Sequence, residues 1–103
     1  MSDSMIFVCK TSDLAPGSVK RVEHGESAVA VYNIDGAFYV TDDRCTHGLS
    51  SLSEGDLMGD EIECTMHFGT FHVPTGKPVG APCSIALRTY KVEVRGEDVY
   101  ADL

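Results

Sequence analysis

Two short segments, Cys45-Thr46-His47 and Cys64-Thr65-Met66-His67, decide how this 103-residue chain is organised. Sixteen residues separate them, and each segment supplies one thiolate and one imidazole. Thiolates and imidazoles are ligands that transition metals prefer in proteins. The two segments therefore predict one metal centre, held by Cys45, His47, Cys64 and His67.

The order of the ligands separates two kinds of metal centre. A structural zinc ion also accepts two thiolates and two imidazoles, but its ligands usually come in pairs of one type, C-x2-4-C or H-x3-5-H. Here each segment is mixed. A two-iron cluster suits mixed segments, because one iron takes the cysteine of each segment and the other iron takes the histidine of each. The sequence favours the cluster, and a zinc-binding structural module is the alternative.

The spacing C-x-H…C-x-x-H resembles the Rieske iron–sulfur signature. Nearly end to end, the chain is similar to the small Rieske ferredoxins of bacterial aromatic-ring-hydroxylating dioxygenase systems, including Asp-Arg-Cys-Thr-His-Gly at 43–48 and Gly-Ala-Pro-Cys at 80–83. This resemblance implies one Rieske-type [2Fe-2S] cluster. Cys45 and Cys64 would bind one iron, and His47 and His67 the other.

The resemblance also implies a fold and a domain organisation. The fold would be all-β, an antiparallel sandwich or barrel with a cluster-binding subdomain formed by two ligand loops. We expect residues 1–103 to form a single Rieske domain, with the cluster-binding loops at about 43–73.

The function implied by the resemblance is electron transfer, without catalysis. The chain would be a soluble one-electron carrier that accepts electrons from an NAD(P)H-dependent flavoprotein, the ferredoxin reductase, and passes them to the terminal oxygenase. In keeping with this, no acid–base pair or activated nucleophile accompanies the ligands in the sequence. A small Rieske subunit of a nitrite reductase-like enzyme is another interpretation. We expect a cytoplasmic monomer.

Departures from the respiratory Rieske pattern predict a low reduction potential. Respiratory members add a cysteine to each ligand loop, joined as a disulfide, and donate Ser and Tyr hydroxyls from two and four residues after the second histidine. This chain has Met66 at one of the cysteine positions and Gly69 and Phe71 at the hydroxyl positions. Fewer hydrogen bonds to sulfur stabilise the added electron less, so we expect a potential of about −150 mV.

Charge and hydropathy exclude several classes of partner. The chain has 16 acidic and 8 basic residues, a net charge of −8, whereas nucleic acids and anionic membranes attract basic patches. No segment approaches the roughly 20 apolar residues of a transmembrane helix, and the first ten residues do not resemble a signal peptide. The acidic excess predicts either a solvated surface or steering towards basic redox partners. The residues predicted to steer are Asp42, Asp43, Glu54 and Asp56.

The cysteines and histidines outside the two segments are predicted to be structural. Four cysteines would suggest two disulfides in a secreted chain, but no signal peptide is expected here. Cys9 and Cys83 are therefore predicted to be reduced, buried thiols. His24 and His72 have no cysteine at ligand spacing, and we expect surface or hydrogen-bonded positions for both.

Short runs rich in Val, Ile, Tyr, Phe and Thr, separated by Gly, Pro and Asp, predict an all-β chain. Asp35-Gly36 predicts a tight hairpin, because a type I′ turn needs positive φ at both central positions. A second hairpin is predicted at 95–98. The predicted strands are 6–9, 19–23, 28–34, 37–41, 61–64, 70–73, 87–94 and 99–101.

Three of these predictions concern packing. The strand at 28–34 is apolar on both faces and is predicted to be central. Alternation along 87–94 predicts that Tyr90, Val92 and Val94 point inward. The segment 50–59 is predicted to be a surface connection anchored by Leu52 and Leu57.

Overall fold

The computed structural model describes residues 5–44, 51–64, 69–79 and 85–103. Within these ranges the chain forms ten β-strands and two single-turn 3-10 helices, Thr11–Asp13 and Leu52–Glu54. No helix in the same ranges is long and apolar enough to cross a membrane. The strands are β1 (Met5–Lys10), β2 (Ser18–His24), β3 (Ser27–Ile34), β4 (Ala37–Asp42), β5 (Asp56–Met58), β6 (Glu61–Glu63), β7 (Thr70–His72), β8 (Thr89–Tyr90), β9 (Val92–Arg95) and β10 (Asp98–Asp102).

The strands form three antiparallel sheets. A four-stranded sheet has the order β2-β3-β4-β8, and two three-stranded sheets have the orders β1-β10-β9 and β5-β6-β7. Every pairing between these strands is antiparallel. The prediction of an all-β antiparallel fold is confirmed.

Strand β3 separates two hydrophobic cores. Successive side chains of a strand point to opposite faces. Ala30 and Tyr32 enter the core shared with the small sheet β5-β6-β7, whereas Val29 and Val31 enter the core shared with β1-β10-β9. All four side chains are buried, and β3 lies between β2 and β4. The predicted central position of this strand is confirmed.

Both predicted hairpins are present. Asp35 and Gly36 have φ values of 53° and 92° between β3 and β4, which are the positive values that this tight turn requires. Arg95 pairs with Asp98 at the end of the β9–β10 hairpin, where Gly96 has φ of 63°.

The predicted strand 87–94 is wrong as a single strand. Strand β8 pairs with β4 in the four-stranded sheet, whereas β9 pairs with β10 in another sheet. Lys91 lies at the change of sheet, and its carbonyl accepts a hydrogen bond from the backbone N–H of Asp102 at 2.9 Å. Tyr90 and Val92 pack against the core, but Val94 is 46% exposed, so its predicted inward position is wrong.

The connection between the two ligand segments contains more structure than the sequence predicted. It includes the 3-10 turn Leu52–Glu54 and strand β5, which pairs with β6. Leu52 is fully buried, and Leu57 packs against the same core. Their prediction as packing anchors is confirmed.

Candidate metal centre

The described part of the second ligand segment is its first residue, Cys64. It directly follows β6, and its side chain is buried. Its backbone N–H donates to the carbonyl of Gly69 at 2.8 Å, which pairs the two ends of the segment 65–68. The other predicted ligands, Cys45, His47 and His67, lie outside the described residues.

The surroundings of Cys64 suit a thiolate that binds metal. Its side chain belongs to a core cluster with Leu52, Ile62 and Phe71, and it is only 1% exposed. Such apolar burial disfavours a thiolate by itself, whereas a bound metal ion supplies the positive charge that keeps a coordinating thiol deprotonated. The residues around Cys64 therefore fit an iron ligand that is shielded from water on the protein side.

The residues that flank the first ligand segment are paired with each other, and we call these flanking residues the base of the segment. Arg44 and Ser51 form an isolated antiparallel bridge. One step further from the segment, the backbone N–H of Leu52 donates to the carbonyl of Asp43 at 2.6 Å. Residues 45–50 are thus bounded on both sides by residues that are hydrogen-bonded across the base.

The bases of the two ligand segments are in contact. Leu52 and Cys64 share one core cluster. At Gly55 a Cβ atom would lie 2.0 Å from the carbonyl oxygen of Glu63, so only glycine allows this backbone approach beside Cys64. The sequence predicted that the segments share one centre, and the described residues bring the two bases together.

A third stretch of chain starts from the same small sheet. Val79 donates a backbone hydrogen bond to the carbonyl of Thr70 at 2.8 Å, and Pro78 forms a bridge with Phe71. Val79 and Ile85 are 51% and 63% exposed. Sequence reasoning missed this pair of exposed apolar residues. Cys83, predicted to be a buried thiol, lies outside the described residues.

The predicted steering role of Asp43 is wrong. Asp43 is only 3% exposed, and its carboxylate lies 3.4 Å from Nε of Arg21. It cannot present its charge to a partner, because other parts of this chain surround it. Asp42 is half-buried and accepts a hydrogen bond from the Tyr90 hydroxyl at 2.5 Å.

Glu54 and Asp56 are exposed, as steering would require. Burial and the hydrogen bond to Asp42 raise the pKa of Tyr90, which therefore stays a neutral donor at physiological pH.

The structural predictions for the remaining cysteine and histidines are confirmed where the structure describes them. Cys9 is 2% exposed, and burial raises the pKa of its thiol. His24 is exposed. Both ring nitrogens of His72 have partners, Thr75 Oγ1 at 2.8 Å and Asp60 Oδ2 at 3.0 Å. No group of three His, Cys, Asp or Glu side chains able to hold a metal occurs among the residues described.

Comparison with known proteins identifies a family and similar ferredoxins. Residues 4–91 match the family described as Rieske [2Fe-2S] domain. The chain is 46% identical over 101 residues to Ferredoxin CarAc of Metapseudomonas resinovorans, covering 97% of this chain and 94% of that protein. It is 44% identical over 96 residues to the ferredoxin component of biphenyl 2,3-dioxygenase of Rhodococcus jostii strain RHA1, covering 93% and 90%.

The fold is also found among solved structures. A complex of reduced oxygenase and oxidized ferredoxin in carbazole 1,9a-dioxygenase contains a chain that is 46% identical to this one, with a TM-score of 0.92. That match covers 97% of this chain and 94% of the other.

Proposed function

The chain belongs to the Rieske [2Fe-2S] domain family, and from this we propose that it carries single electrons from an NAD(P)H-dependent flavoprotein reductase to the terminal oxygenase of an aromatic-ring dioxygenase system. The observation that carries the proposal is the 46% identity over 97% of the chain to a ferredoxin. The chain is an electron-transfer component with one Rieske-type cluster. Oxidation of the aromatic ring takes place in the partner.

We propose that Cys45 and Cys64 bind one iron of the cluster and that His47 and His67 bind the other. The C-x-H…C-x-x-H spacing supports this assignment, as do the burial of Cys64 and the contact between the bases of the two segments. The bound cluster supplies one-electron redox chemistry. Thiolate ligands on one iron and imidazole ligands on the other follow the general Rieske pattern.

The residues around Cys64 favour a low potential. Leu52, Ile62 and Phe71 surround it with apolar side chains, and Phe71 has no hydroxyl to donate to sulfur. An added negative charge is less favourable beside an apolar core than beside hydrogen-bond donors. A low potential leaves the carrier able to reduce an oxygenase downstream of it.

For the carrier to serve two partners, one surface must remain accessible. We propose that residues 1–103 form one domain, monomeric and cytoplasmic, with the cluster-binding loops at about 43–73 at the docking end. Exposed Glu54 and Asp56 would steer encounters, and exposed Val79 and Ile85 would form the apolar part of a small transient interface.

The proposal is tested first on the purified chain. Two irons and two acid-labile sulfides per chain, with a rhombic EPR signal on reduction, are expected. Cys64→Ser should lose that signal, whereas Cys9→Ser, which changes a buried thiol in the other core, should retain it. One zinc per chain and no iron would refute the assignment.

A reconstituted system then tests the pathway. The reductase and oxygenase of a carbazole or biphenyl dioxygenase system should hydroxylate their substrate with NADH only when this chain is added. Size-exclusion chromatography at micromolar concentration should give a monomer. A chain that copurifies in a fixed complex with a nitrite reductase-like enzyme would contradict the shuttle.

A further inference from the structure

Asp43, which precedes the first ligand segment, contacts both the residues that follow the segment and the main sheet. Its backbone carbonyl accepts the N–H of Leu52 at 2.6 Å, and its carboxylate Oδ1 accepts the N–H of Ser53 at 2.9 Å. Its own N–H donates to the carbonyl of Ala28 at 3.2 Å, and Oδ2 lies 3.4 Å from Nε of Arg21. We call this set of four contacts the Asp43 clasp.

The clasp ties the segment to the main sheet as well as closing its base. Ala28 and Arg21 lie on the neighbouring strands β3 and β2, whereas Leu52 and Ser53 follow the segment in the chain. Asp43 itself stands two residues before Cys45. The backbone and the side chain of Asp43 together therefore join the residues that precede and follow the segment 45–50 to each other and to the sheet.

A carboxylate in this position is costly unless its partners are kept. The side chain of Asp43 is 4% exposed, whereas that of Arg21 is 53% exposed and also lies 3.7 Å from Glu23. Burial of a charge is unfavourable unless the charge is paired and hydrogen-bonded, and Asp43 has both kinds of partner. An apolar residue would fill the same volume and keep the backbone bond to Leu52, but it would lose the side-chain contacts to Ser53 and Arg21.

We propose that Asp43 is a positioning residue for the cluster, which holds the first ligand segment in the geometry that keeps the metal bound. This inference rests on the proposed ligation by Cys45 and His47. Asp43 would thus position the ligand segment and would not steer a partner at the surface. Its hydrogen bond to Ser53 and its ion pair with Arg21 would make separate contributions.

Two substitutions distinguish these contributions. Asp43→Asn retains an oxygen that can accept the Ser53 N–H but removes the charge facing Arg21. Asp43→Ala removes both contacts and leaves the Ser53 N–H without its acceptor. A hydrogen bond to a charged acceptor is stronger than one to a neutral acceptor, so Asp43→Asn weakens the bond to Ser53, whereas Asp43→Ala removes it. Cluster release should therefore be slowest in the wild type, faster in Asp43→Asn and fastest in Asp43→Ala.

Asn33→Ala is the matched control. Asn33 is 4% exposed, its Nδ2 donates to the carbonyl of Leu14 at 2.8 Å, and its Oδ1 accepts the N–H of Gly36 at 2.9 Å. It is thus a buried polar side chain that joins two stretches of chain, as Asp43 does. It lies five residues along β3 from Ala28, about 16 Å away at strand spacing.

The experiment measures the first-order rate of visible bleaching at a temperature below unfolding, together with the g values of the reduced EPR signal. We expect bleaching about tenfold faster in Asp43→Ala and about threefold faster in Asp43→Asn, with shifted g values in the alanine variant. Asn33→Ala should lower the unfolding temperature while keeping wild-type g values and a bleaching rate within twofold of wild type.

The outcomes separate this inference from the proposed function. Equal bleaching rates and unchanged g values in Asp43→Ala and Asn33→Ala would overturn the positioning role. Should Asp43→Ala fail to fold, a wild-type bleaching rate in Asp43→Asn would overturn it. A wild-type protein without iron would refute the proposed function itself, whatever the variants do.

Discussion

Alkaline pH should destabilise this protein through Tyr32. The Tyr32→Phe variant should therefore be less stable than wild type at neutral pH and more stable than wild type at alkaline pH. Tyr32 is fully buried on β3, and its hydroxyl lies 2.9 Å from Oγ1 of Thr41. Burial raises the pKa of Tyr32 far above its usual value, and the negative charge of Asp43 acts in the same direction. The folded state therefore keeps the proton at a pH where the unfolded chain releases it.

The sign and the size of the effect follow from linkage. A group with a raised folded-state pKa contributes its full stability below the unfolded pKa, about 10 for Tyr, and that stability is lost as the pH rises above it. At pH 11.5 the loss for one such group is about 2 kcal/mol. At pH 7, Tyr32→Phe removes a hydrogen bond worth about 1 kcal/mol. The variant should be less stable at pH 7, equal to wild type near pH 10.7 and more stable at pH 11.5.

The assay is thermal unfolding of the two cluster-containing proteins, followed by far-ultraviolet circular dichroism at one scan rate. For a chain of this size, 1 kcal/mol corresponds to about 4–8 °C in Tm. Tyr32→Phe should therefore unfold about 4–8 °C below wild type at pH 7 and a similar interval above it at pH 11.5. Tyr90 is present in both proteins, so its own raised pKa cancels. A constant difference from pH 7 to 11.5 would refute the reasoning.

Further predictions concern the site and its surface. Leu52→Ala should lower the free energy of unfolding by about 3 kcal/mol, because the side chain is fully buried. A decrease in Tm of less than about 5 °C would contradict this. Phe71→Tyr should raise the reduction potential by about 40 mV, because the added hydroxyl would donate a hydrogen bond to a cluster sulfur, and an unchanged potential in a redox titration would contradict this. Glu54→Gln with Asp56→Asn should slow stopped-flow reduction of the oxygenase at low salt and weaken the salt dependence of that rate. Glu97→Gln, in the β9–β10 turn of another sheet, should leave the rate and its salt dependence unchanged. Chelating the iron from the reduced protein should lower its Tm, because a cluster that binds only the folded chain stabilises it.

The predictable parts of the fold are those encoded by neighbouring residues. The turn at Asp35-Gly36 follows from residue types that tolerate positive φ. The central position of β3 follows from apolar side chains on both of its faces, which need two cores to bury them. The prediction of Cys64 as a ligand rests on its spacing from the other motif residues, a signal that does not depend on the tertiary structure.

The features that the sequence did not reveal depend on distant partners. Strands β8 and β9 share one alternating pattern, and only their pairing with β4 or β10 separates them at Lys91. Asp43 is one of two adjacent aspartates beside a ligand motif, and two neighbouring acidic residues predict an exposed position. Its burial depends on Arg21, which is 22 residues away in sequence and comes close only through the β2-β3-β4 pairing.

The close backbone contact at Gly55 has a consequence for the speed of electron exchange. The carbonyl of Glu63 occupies the space that any side chain at position 55 would need, so the two ligand bases meet backbone to backbone. Such a contact has no rotamers to rearrange when the charge of the cluster changes. A carrier whose polar surroundings are fixed in advance spends little energy on reorganisation at each transfer. We therefore expect Gly55 to favour rapid electron exchange.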